Sequence, residues 1–231
     1  MKVILFGATG MVGQGVLREC LLNPEVTEVL AIVRSETGQK NAKLREIIHK
    51  DLGDLSAIEA ELSDVDACFF CLGVSSAGKT EDDYRRVTFD YTIAAAQALA
   101  RQNPGLVFVY VSGAGTDSSE RGRSMWARVK GKTENALLQM PFIDAYMFRP
   151  GYIHPANGEV SKTKSYRIMY AALSPLFRLW KLLFPKRVVT TEQLGRAMLQ
   201  IAKRGSPTRV LGSPDIQRLL SGEKAEVALK A

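Results

Sequence analysis

Short apolar runs alternate along the chain with longer segments in which apolar residues recur at helical spacing. The apolar runs predict strands near residues 2–7, 27–34, 44–50, 65–72, 105–112 and 142–149. This alternation is typical of parallel pairing, and right-handed crossovers would stack the units into a doubly wound α/β sheet. Ligands of such a sheet bind at the carboxyl ends of its strands.

Two helices have clear boundaries in the sequence. The first follows a glycine-rich turn and runs through VLRECLL to a stop at Asn23-Pro24. A longer helix fits EDDYRRVTFDYTIAAAQALARQ, with acidic residues in its first turn and Arg101 in its last, as the helix dipole favours. Asn103-Pro104-Gly105 then predicts its end.

The composition fits one folded domain. A chain of 231 residues can bury one sizeable core, and 46% hydrophobic with 24% charged residues is ordinary for a globular protein. We therefore expect a single domain over residues 1–231 with a small C-terminal part. The N-terminal apolar run meets glycines at once, which favours a first strand over a targeting segment.

Two of the three cysteines form a C-x-x-C pattern in DVDACFFCLG. Cys68 and Cys71 lie in an apolar run of strand type, where positions three apart face opposite sides of the sheet. Redox pairs usually open a helix, so these thiols are interpreted as buried structural cysteines. A reducing cytoplasmic location is the corresponding expectation.

A glycine-rich turn joins the first predicted strand to the first helix. GATGMVG follows the strand KVILF directly. Glycine allows a tight turn and close approach of a pyrophosphate, whose negative charge is favoured by the free N–H groups of the helix N-terminus. Because strand, turn, helix and a following strand are all in place, the motif predicts a dinucleotide site. The predicted phosphate loop contains Gly7, Thr9, Gly10, Met11, Val12 and Gly13.

The end of the second strand predicts which dinucleotide binds. An acidic residue there would bond a ribose 2′-OH, whereas Arg34 suits the 2′-phosphate of NADP(H) because its planar fork can bind phosphate bidentately. Glu36 competes for the same place, so NADP(H) is preferred and NAD(H) stays open. Asp51 and Leu52, after the third strand, are predicted to flank adenine, with a solvent-facing turn aspartate as the alternative.

The chain resembles the short-chain dehydrogenase/reductases, in their atypical branch. GATGMVG is shared with that branch, and CLG, VTFDY, VKGKTE and FRPG are similar to the oxidoreductases related to the Tat-interacting protein and to small bacterial proteins labelled epimerases. The resemblance covers nearly the whole chain and implies a Rossmann fold and a dinucleotide cofactor. It further implies that Leu72 and Gly73 pass beneath the cofactor and that Lys130 bonds the nicotinamide ribose.

The resemblance also implies a catalytic set that this chain does not complete. In the superfamily a serine orients the substrate, and a tyrosine in Y-x-x-x-K exchanges a proton with it. Ser112 matches the serine and Lys130 the lysine, but Trp126 stands at the tyrosine position. An indole N–H donates a hydrogen bond and is no usable acid near neutral pH, so carbonyl reduction by the usual route is in doubt.

Other residues could supply the proton. Tyr152 follows FRPG in a loop that the resemblance implies is near the nicotinamide, and His154 lies two residues further on; a structural role is the alternative for both. Tyr84, Tyr166 and Tyr170 are more distant candidates. His49 is interpreted as a strand-end residue, and two isolated histidines do not indicate a metal site.

Residues 152–190 include a basic, apolar segment. No acidic residue lies between Glu159 and Glu192, where seven basic residues account for the whole net charge of +7. Pro175 and two internal cations exclude a membrane span. Three interpretations stay open: a helical pair packed on the domain, a lid over a hydrophobic or acidic substrate, as the resemblance implies, or a membrane-surface or partner-binding helix. Nucleic-acid binding is not expected.

The sequence therefore supports two functional classes. In the first, the chain is an oxidoreductase or epimerase that moves hydride to or from the nicotinamide, with Ser112 and Tyr152 polarising the substrate. In the second, it is an inactive cofactor-binding regulatory or scaffold protein in which Trp126 caps the nicotinamide pocket. The substrate and the oligomeric state are not specified by the sequence.

Overall fold

The computed structural model describes residues 1–142, 144–159 and 187–221. Most of the basic segment, from 160 to 186, lies outside the described residues, together with Tyr166 and Tyr170. The predicted lid, and the division of the chain into one domain with a lid region at 152–190, stay predictions.

Strands and helices alternate in the order that the hydrophobic pattern predicts. The strands are β1 (Lys2–Phe6), β2 (Glu28–Val33), β3 (Leu44–Ile48), β4 (Ala67–Phe70), β5 (Val107–Val111), β6 (Asp144–Arg149), β7 (Tyr152–His154), β8 (Val188–Thr190) and β9 (Val210–Gly212). The helices are α1 (Met11–Leu22), α2 (Glu81–Arg85), α3 (Tyr91–Gln102), α4 (Met125–Leu138), α5 (Thr191–Arg204) and α6 (Ser213–Ser221), with a 3₁₀ helix at Ser56–Leu62. All six strands predicted from the sequence are present, each within a few residues of its predicted bounds.

The main sheet is parallel throughout. Within the described ranges, seven strands pair in the order β3-β2-β1-β4-β5-β6-β9, and β7 pairs with β8 in a separate small sheet. The strand order reverses between β1 and β4, which is the arrangement of a doubly wound Rossmann sheet. The predicted α/β fold class is confirmed.

Both faces of the sheet are buried, which explains why the strand sequences are almost continuously apolar. Alternate residues of one strand enter different cores: Leu5 packs with α1 and α5, whereas Ile4 and Phe6 pack with α3. Cys68 lies in the core on the α3 face, and Cys71 packs against the opposite core. The predicted divergence of the two thiols is therefore confirmed, and burial raises the pKa of each.

The long predicted helix is present as one run with a wider turn inside it. Thr80 caps its N-terminus by accepting a hydrogen bond from the backbone N–H of Asp83 at 3.1 Å. Between α2 and α3 the segment Arg86–Asp90 forms a π-helical turn, a feature that often lies at functional sites. The helix ends at Gln102, as Asn103-Pro104-Gly105 predicts.

The contact between α1 and α5 depends on two small residues. Gly15 of α1 lies against Thr191, and Gly195 of α5 lies against Glu19. The Glu19 carboxylate is buried there and accepts hydrogen bonds from Arg18 and from Arg196, the latter at 3.1 Å. This packing fixes α1, and with it the turn at its N-terminus.

Gly15→Val is expected to lower the free energy of unfolding by about 1–3 kcal/mol, because the added side chain would overlap Thr191 at the α1–α5 contact. Urea denaturation measures the change. The matched control is Gly105→Val, since a Cβ at Gly105 would meet no atom within 4 Å and its change should stay within about 0.5 kcal/mol. Equal effects of the two substitutions would contradict the tight packing of the two helices.

Candidate functional site

The turn between β1 and α1 has a backbone that only glycine can form. Gly7 has a φ of +84°, and a Cβ on it would lie 2.6 Å from the backbone nitrogen of Leu72 at the end of β4. A Cβ on Gly13 would overlap the carbonyl of Gly7. The ends of β1 and β4 and the first turn of α1 are thus in direct backbone contact.

The outer side of the same turn is open. Gly10 is the N-cap of α1 and donates its N–H to the carbonyl of Gly7 at 2.9 Å, which closes the turn. A Cβ added to Gly10 would meet only that carbonyl, at 3.4 Å, and one on Gly73 would meet nothing within 4 Å. Because the helix has no side-chain cap, its first N–H groups face this open space, a cradle that fits a pyrophosphate.

A pocket of about 260 Å³ lies beside the turn, where the chain leaves β2. Its lining residues are Ala8, Thr9, Gln14, Leu17, Glu36, Thr37 and Gln39. Glu36 is therefore part of the lining, whereas Arg34 is an exposed residue directly after β2 and outside that lining. The backbone N–H of Thr37 donates to Glu46 at 2.9 Å, which ties this loop to β3.

The two residues predicted to flank adenine have different surroundings. Leu52 is 5% exposed and belongs to the core on the α3 face. Asp51 is exposed and accepts a hydrogen bond from the backbone N–H of Gly53 at 2.9 Å. It lines a cleft of about 530 Å³ with Asp82, Asp90 and Tyr91 of the α2–α3 run. Asp51 therefore has the hydrogen bond of a solvent-facing aspartate in a turn, which was the alternative to a contact with adenine, and it lies beside a cleft.

Lys130 extends from α4 to the end of β5. Its ammonium donates a hydrogen bond to the backbone carbonyl of Ser112. Burial lowers the pKa of Lys130 to about 8, while the charge of Glu134 one turn later acts in the opposite direction. The ammonium therefore retains a positive charge at neutral pH at this edge of the sheet.

The hydroxyl of Ser112 is directed into the protein. Ser112 is 5% exposed and donates to the carboxylate of Glu134, with the carbonyl of Phe148 3.1 Å away. Glu134 also accepts from Arg149 of β6, whose Nε lies 3.1 Å from both carboxylate oxygens. Arg149 in turn donates to Ser118. In this arrangement Ser112 offers other molecules only an acceptor lone pair.

Trp126 lies in the first turn of α4 and packs against the loop after β5. A Cβ on Gly115, which has a φ of +88°, would lie 3.2 Å from Cη2 of the indole. The same loop is held against α4 further along, where the backbone N–H of Asp117 donates to the carbonyl of Ala127 at 3.1 Å. Trp126 is half-buried and Gly115 is exposed, so the ring covers the loop at the edge of the site.

The candidate proton donors lie in different places. Tyr152 is in β7, beyond the end of β6, and is half-buried; burial raises the pKa of its phenol, and the ring of His154 lies 6.5 Å from it. Tyr84 of α2 is 2% exposed, inside the core. His49 directly follows β3, with Nε2 2.8 Å from the carbonyl of Asp54. Of these, Tyr152 is the phenol with an accessible side chain.

Sequence reasoning missed Glu134 as a residue of the site. It was visible only as part of VKGKTE, and its position four residues after Lys130 places both side chains on one face of a helix. That spacing could have indicated the carboxylate, but a solvated surface pair has the same spacing. Its partner Arg149 is fifteen residues away along the chain, which no local pattern connects.

The described part of the chain has neither a metal-binding cluster nor a membrane-spanning helix. No group of three or more His, Cys, Asp or Glu side chains there is arranged to hold a metal ion. No helix of that part is both long and apolar enough to cross a membrane.

Curated fungal proteins are similar to this chain over much of its length. Protein fmp52 of Emericella nidulans is 29% identical and protein FMP52 of Eremothecium gossypii 30% identical, each over 66% of this chain and 66% of the relative. FMP52 of Saccharomyces cerevisiae is 28% identical over 71% and 69%. The chain thus spans just under two thirds of the first two relatives. All three are named mitochondrial, so the expectation of a cytoplasmic location was wrong by this comparison.

Solved structures share the fold at low sequence identity. The enzyme WbmF of Bordetella bronchiseptica in complex with NAD+ has a TM-score of 0.68 at 15% identity, covering 95% of this chain and 77% of its own. The UDP-glucuronic acid 4-epimerase of Bacillus cereus in complex with NAD has a TM-score of 0.66 at 14% identity, covering 97% and 84%. At this identity the likeness establishes the fold alone.

A family model described as NAD(P)H-binding matches residues 7–169, which is more than half of the chain. The matched region begins at Gly7, directly after β1, and includes the glycine turn and the ends of β4, β5 and β6. Together with the doubly wound sheet, this match confirms the predicted dinucleotide-binding class. The chain belongs to this NAD(P)H-binding family, and its Rossmann fold is shared with the NAD-bound UDP-glucuronic acid 4-epimerase of Bacillus cereus.

Proposed function

We propose that the chain is an NADP(H)-binding oxidoreductase or epimerase whose cofactor lies along the carboxyl edge of the main sheet. The observation that carries this proposal is the open turn at Gly10, with uncapped helix N–H groups on one side and backbone contact at Gly7 and Gly13 on the other. In it, the phosphates lie over Gly7, Thr9, Gly10, Met11, Val12 and Gly13.

The adenosine end is assigned to the loops after β2 and β3. Arg34 binds the 2′-phosphate in this proposal, since it is exposed directly after β2, the strand that pairs with β1. Glu36 lines the adjacent pocket, and its carboxylate would suit the 2′-OH of NAD(H), which is the competing assignment. Asp51 and Leu52 flank the adenine.

The nicotinamide end is assigned to β4, β5 and α4. Leu72 and Gly73 pass beneath the cofactor in this proposal. The assignment of Gly73 is supported by the space around it, because a Cβ added there would meet no atom within 4 Å. Lys130 donates to the ribose hydroxyls, since an ammonium has three N–H donors and the carbonyl of Ser112 occupies one. The bound cofactor would supply the hydride chemistry of the nicotinamide.

The substrate's proton needs a donor other than the residue at the usual position. Trp126 cannot serve, since an indole N–H does not ionise near neutral pH. Tyr152 is the proposed donor: it is half-buried and its raised pKa keeps the phenol protonated. Ser112 contacts substrate in this proposal as an acceptor, because its hydrogen is directed to Glu134.

A second function is favoured by one observation, the packing of Trp126 on Gly115. In this alternative the indole caps the nicotinamide pocket, and the chain is an inactive cofactor-binding regulatory or scaffold protein. Both functions share the cofactor site, and they differ in whether a substrate reaches it. The basic segment, as lid or as a surface for a membrane or partner, belongs to either.

Arg34→Ala is expected to weaken NADPH binding by about 1–3 kcal/mol, or about 5- to 150-fold in Kd, because a charged contact to the 2′-phosphate is lost. Binding of NADH should change little. The fluorescence of bound NADPH and NADH, measured over a protein titration, reports both values.

Glu36→Ala is the matched control for the same loop. If Arg34 binds the 2′-phosphate of NADPH, removal of the Glu36 carboxylate leaves NADPH binding unchanged or makes it tighter. Weaker NADH binding in Glu36→Ala, with unchanged NADPH binding in Arg34→Ala, would overturn the NADP(H) assignment in favour of NAD(H).

Trp126→Tyr is expected to raise NADPH-dependent carbonyl reduction about 10²-fold, because it restores a phenol four residues before Lys130. Trp126→Phe is the matched control, since it removes the indole and adds no acid. Absorbance of NADPH is followed over a broad panel of aldehydes and ketones. A tyrosine variant no faster than the phenylalanine variant would count against an otherwise intact reductase site.

A further inference from the structure

A single buried carboxylate lies at the centre of the nicotinamide end of the site. Glu134 is 1% exposed, which is rare for a carboxylate unless its charge is paired and its oxygens are hydrogen-bonded. Both conditions are met: it accepts from the hydroxyl of Ser112 and from the guanidinium of Arg149. Removing either partner would leave polar groups unpaired inside the protein.

The hydrogen bonds of Glu134 connect separate elements of the fold. Glu134 itself belongs to α4, Ser112 directly follows β5, and Arg149 ends β6. Arg149 extends the connection to Ser118 in the loop that carries Gly115. The side chain therefore joins the carboxyl ends of two neighbouring strands to the helix that presents Lys130.

The charges of this cluster do not cancel. Glu134 forms an ion pair with Arg149, whereas Lys130 forms none with a described carboxylate and bonds a neutral carbonyl. One positive charge is left over, and it belongs to the residue assigned to the cofactor.

Glu134 nevertheless acts on Lys130 through its charge, since the two lie one turn apart on α4. Burial lowers the pKa of Lys130 to about 8, and Glu134 raises it against that effect. Among the described residues, Glu134 also faces Arg149 on β6 and the phenol of Tyr110 on β5, which is buried and whose pKa is raised. Tyr110 is neutral, so Glu134 and Arg149 are the charges that matter.

We propose that Glu134 is a positioning residue of the cofactor site, which anchors the ends of β5 and β6 through Ser112 and Arg149 and keeps Lys130 charged for the nicotinamide ribose. The role toward the ribose rests on the proposed function. Ser112 then holds Glu134 in place through its hydrogen bond, in addition to any contact with substrate.

The direct test is a pH titration of the Lys130 side chain by NMR, in the full chain without cofactor. The signal is assigned by its absence in Lys130→Arg. In Glu134→Gln the titration midpoint should fall below the parental midpoint by about one pH unit, because the negative charge that raises the pKa of Lys130 is lost. A midpoint within about 0.3 units of the parental one would overturn the proposal.

Two controls separate charge from folding. Glu134→Asp keeps the charge and should restore most of the midpoint, whereas Glu120→Gln removes an exposed carboxylate outside the cluster and should leave it unchanged. If Glu134→Gln does not fold, Glu134→Gln/Arg149→Met removes the buried pair together. The midpoint of that variant should also fall, because the carboxylate whose charge raises the pKa of Lys130 is lost, and an unchanged midpoint there overturns the proposal.

Binding of NADPH provides the second reading. Lys130 is charged below its midpoint, so binding should weaken as the pH rises through about 8, and the weakening should begin at lower pH in Glu134→Gln. If the Lys130 midpoint shifts in Glu134→Gln but the pH dependence of NADPH binding does not, the link between Lys130 and the cofactor is overturned. A shifted midpoint with no dinucleotide bound at any pH would overturn the proposed function, while the action of Glu134 on Lys130 would stand.

Discussion

The backbone contact around Gly7 is the constraint on which the rest of the structure depends. A Cβ there would lie 2.6 Å from the amide nitrogen of Leu72, and one on Gly13 would overlap the Gly7 carbonyl. Because these positions lack side chains, β1, β4 and α1 meet where the strand order reverses. That meeting leaves the N-terminus of α1 facing the open edge of the sheet, where the fold accommodates a dinucleotide.

The phosphate turn after β1 and the proposed nicotinamide end at β5 and α4 differ in how many of the residues expected for their roles are present. The phosphate turn has the open side at Gly10 and the uncapped helix N-terminus expected of a pyrophosphate site. The proposed reacting end has Lys130 but has Trp126 where the superfamily pattern has a tyrosine. Buried pairing of Glu134 with Arg149 leaves the lysine charge for a ligand. In the proposed site, dinucleotide binding and proton transfer to a substrate therefore depend on different residues.

Much of the fold could be predicted from local patterns. Strands buried on both faces read as apolar runs, and Asn103-Pro104-Gly105 marks a helix end through backbone chemistry alone. The phosphate turn was predictable because its glycines are contiguous in sequence. The cluster of Ser112, Glu134 and Arg149 was not, because it forms only when β5, β6 and α4 pack, and no spacing along the chain records that meeting. Local patterns also do not show that the hydroxyl of Ser112 is directed inward.

Every assignment at this edge of the sheet requires a bound dinucleotide, and calorimetric titration of the purified protein with NADPH, NADP+, NADH and NAD+ measures that binding. We expect binding with a Kd in the micromolar range, or about −8 kcal/mol, that is tightest for NADPH. If the protein is shown to be folded, and none of the four dinucleotides gives a heat of binding or competes with another for the site, the result contradicts the assignment of a dinucleotide to this edge.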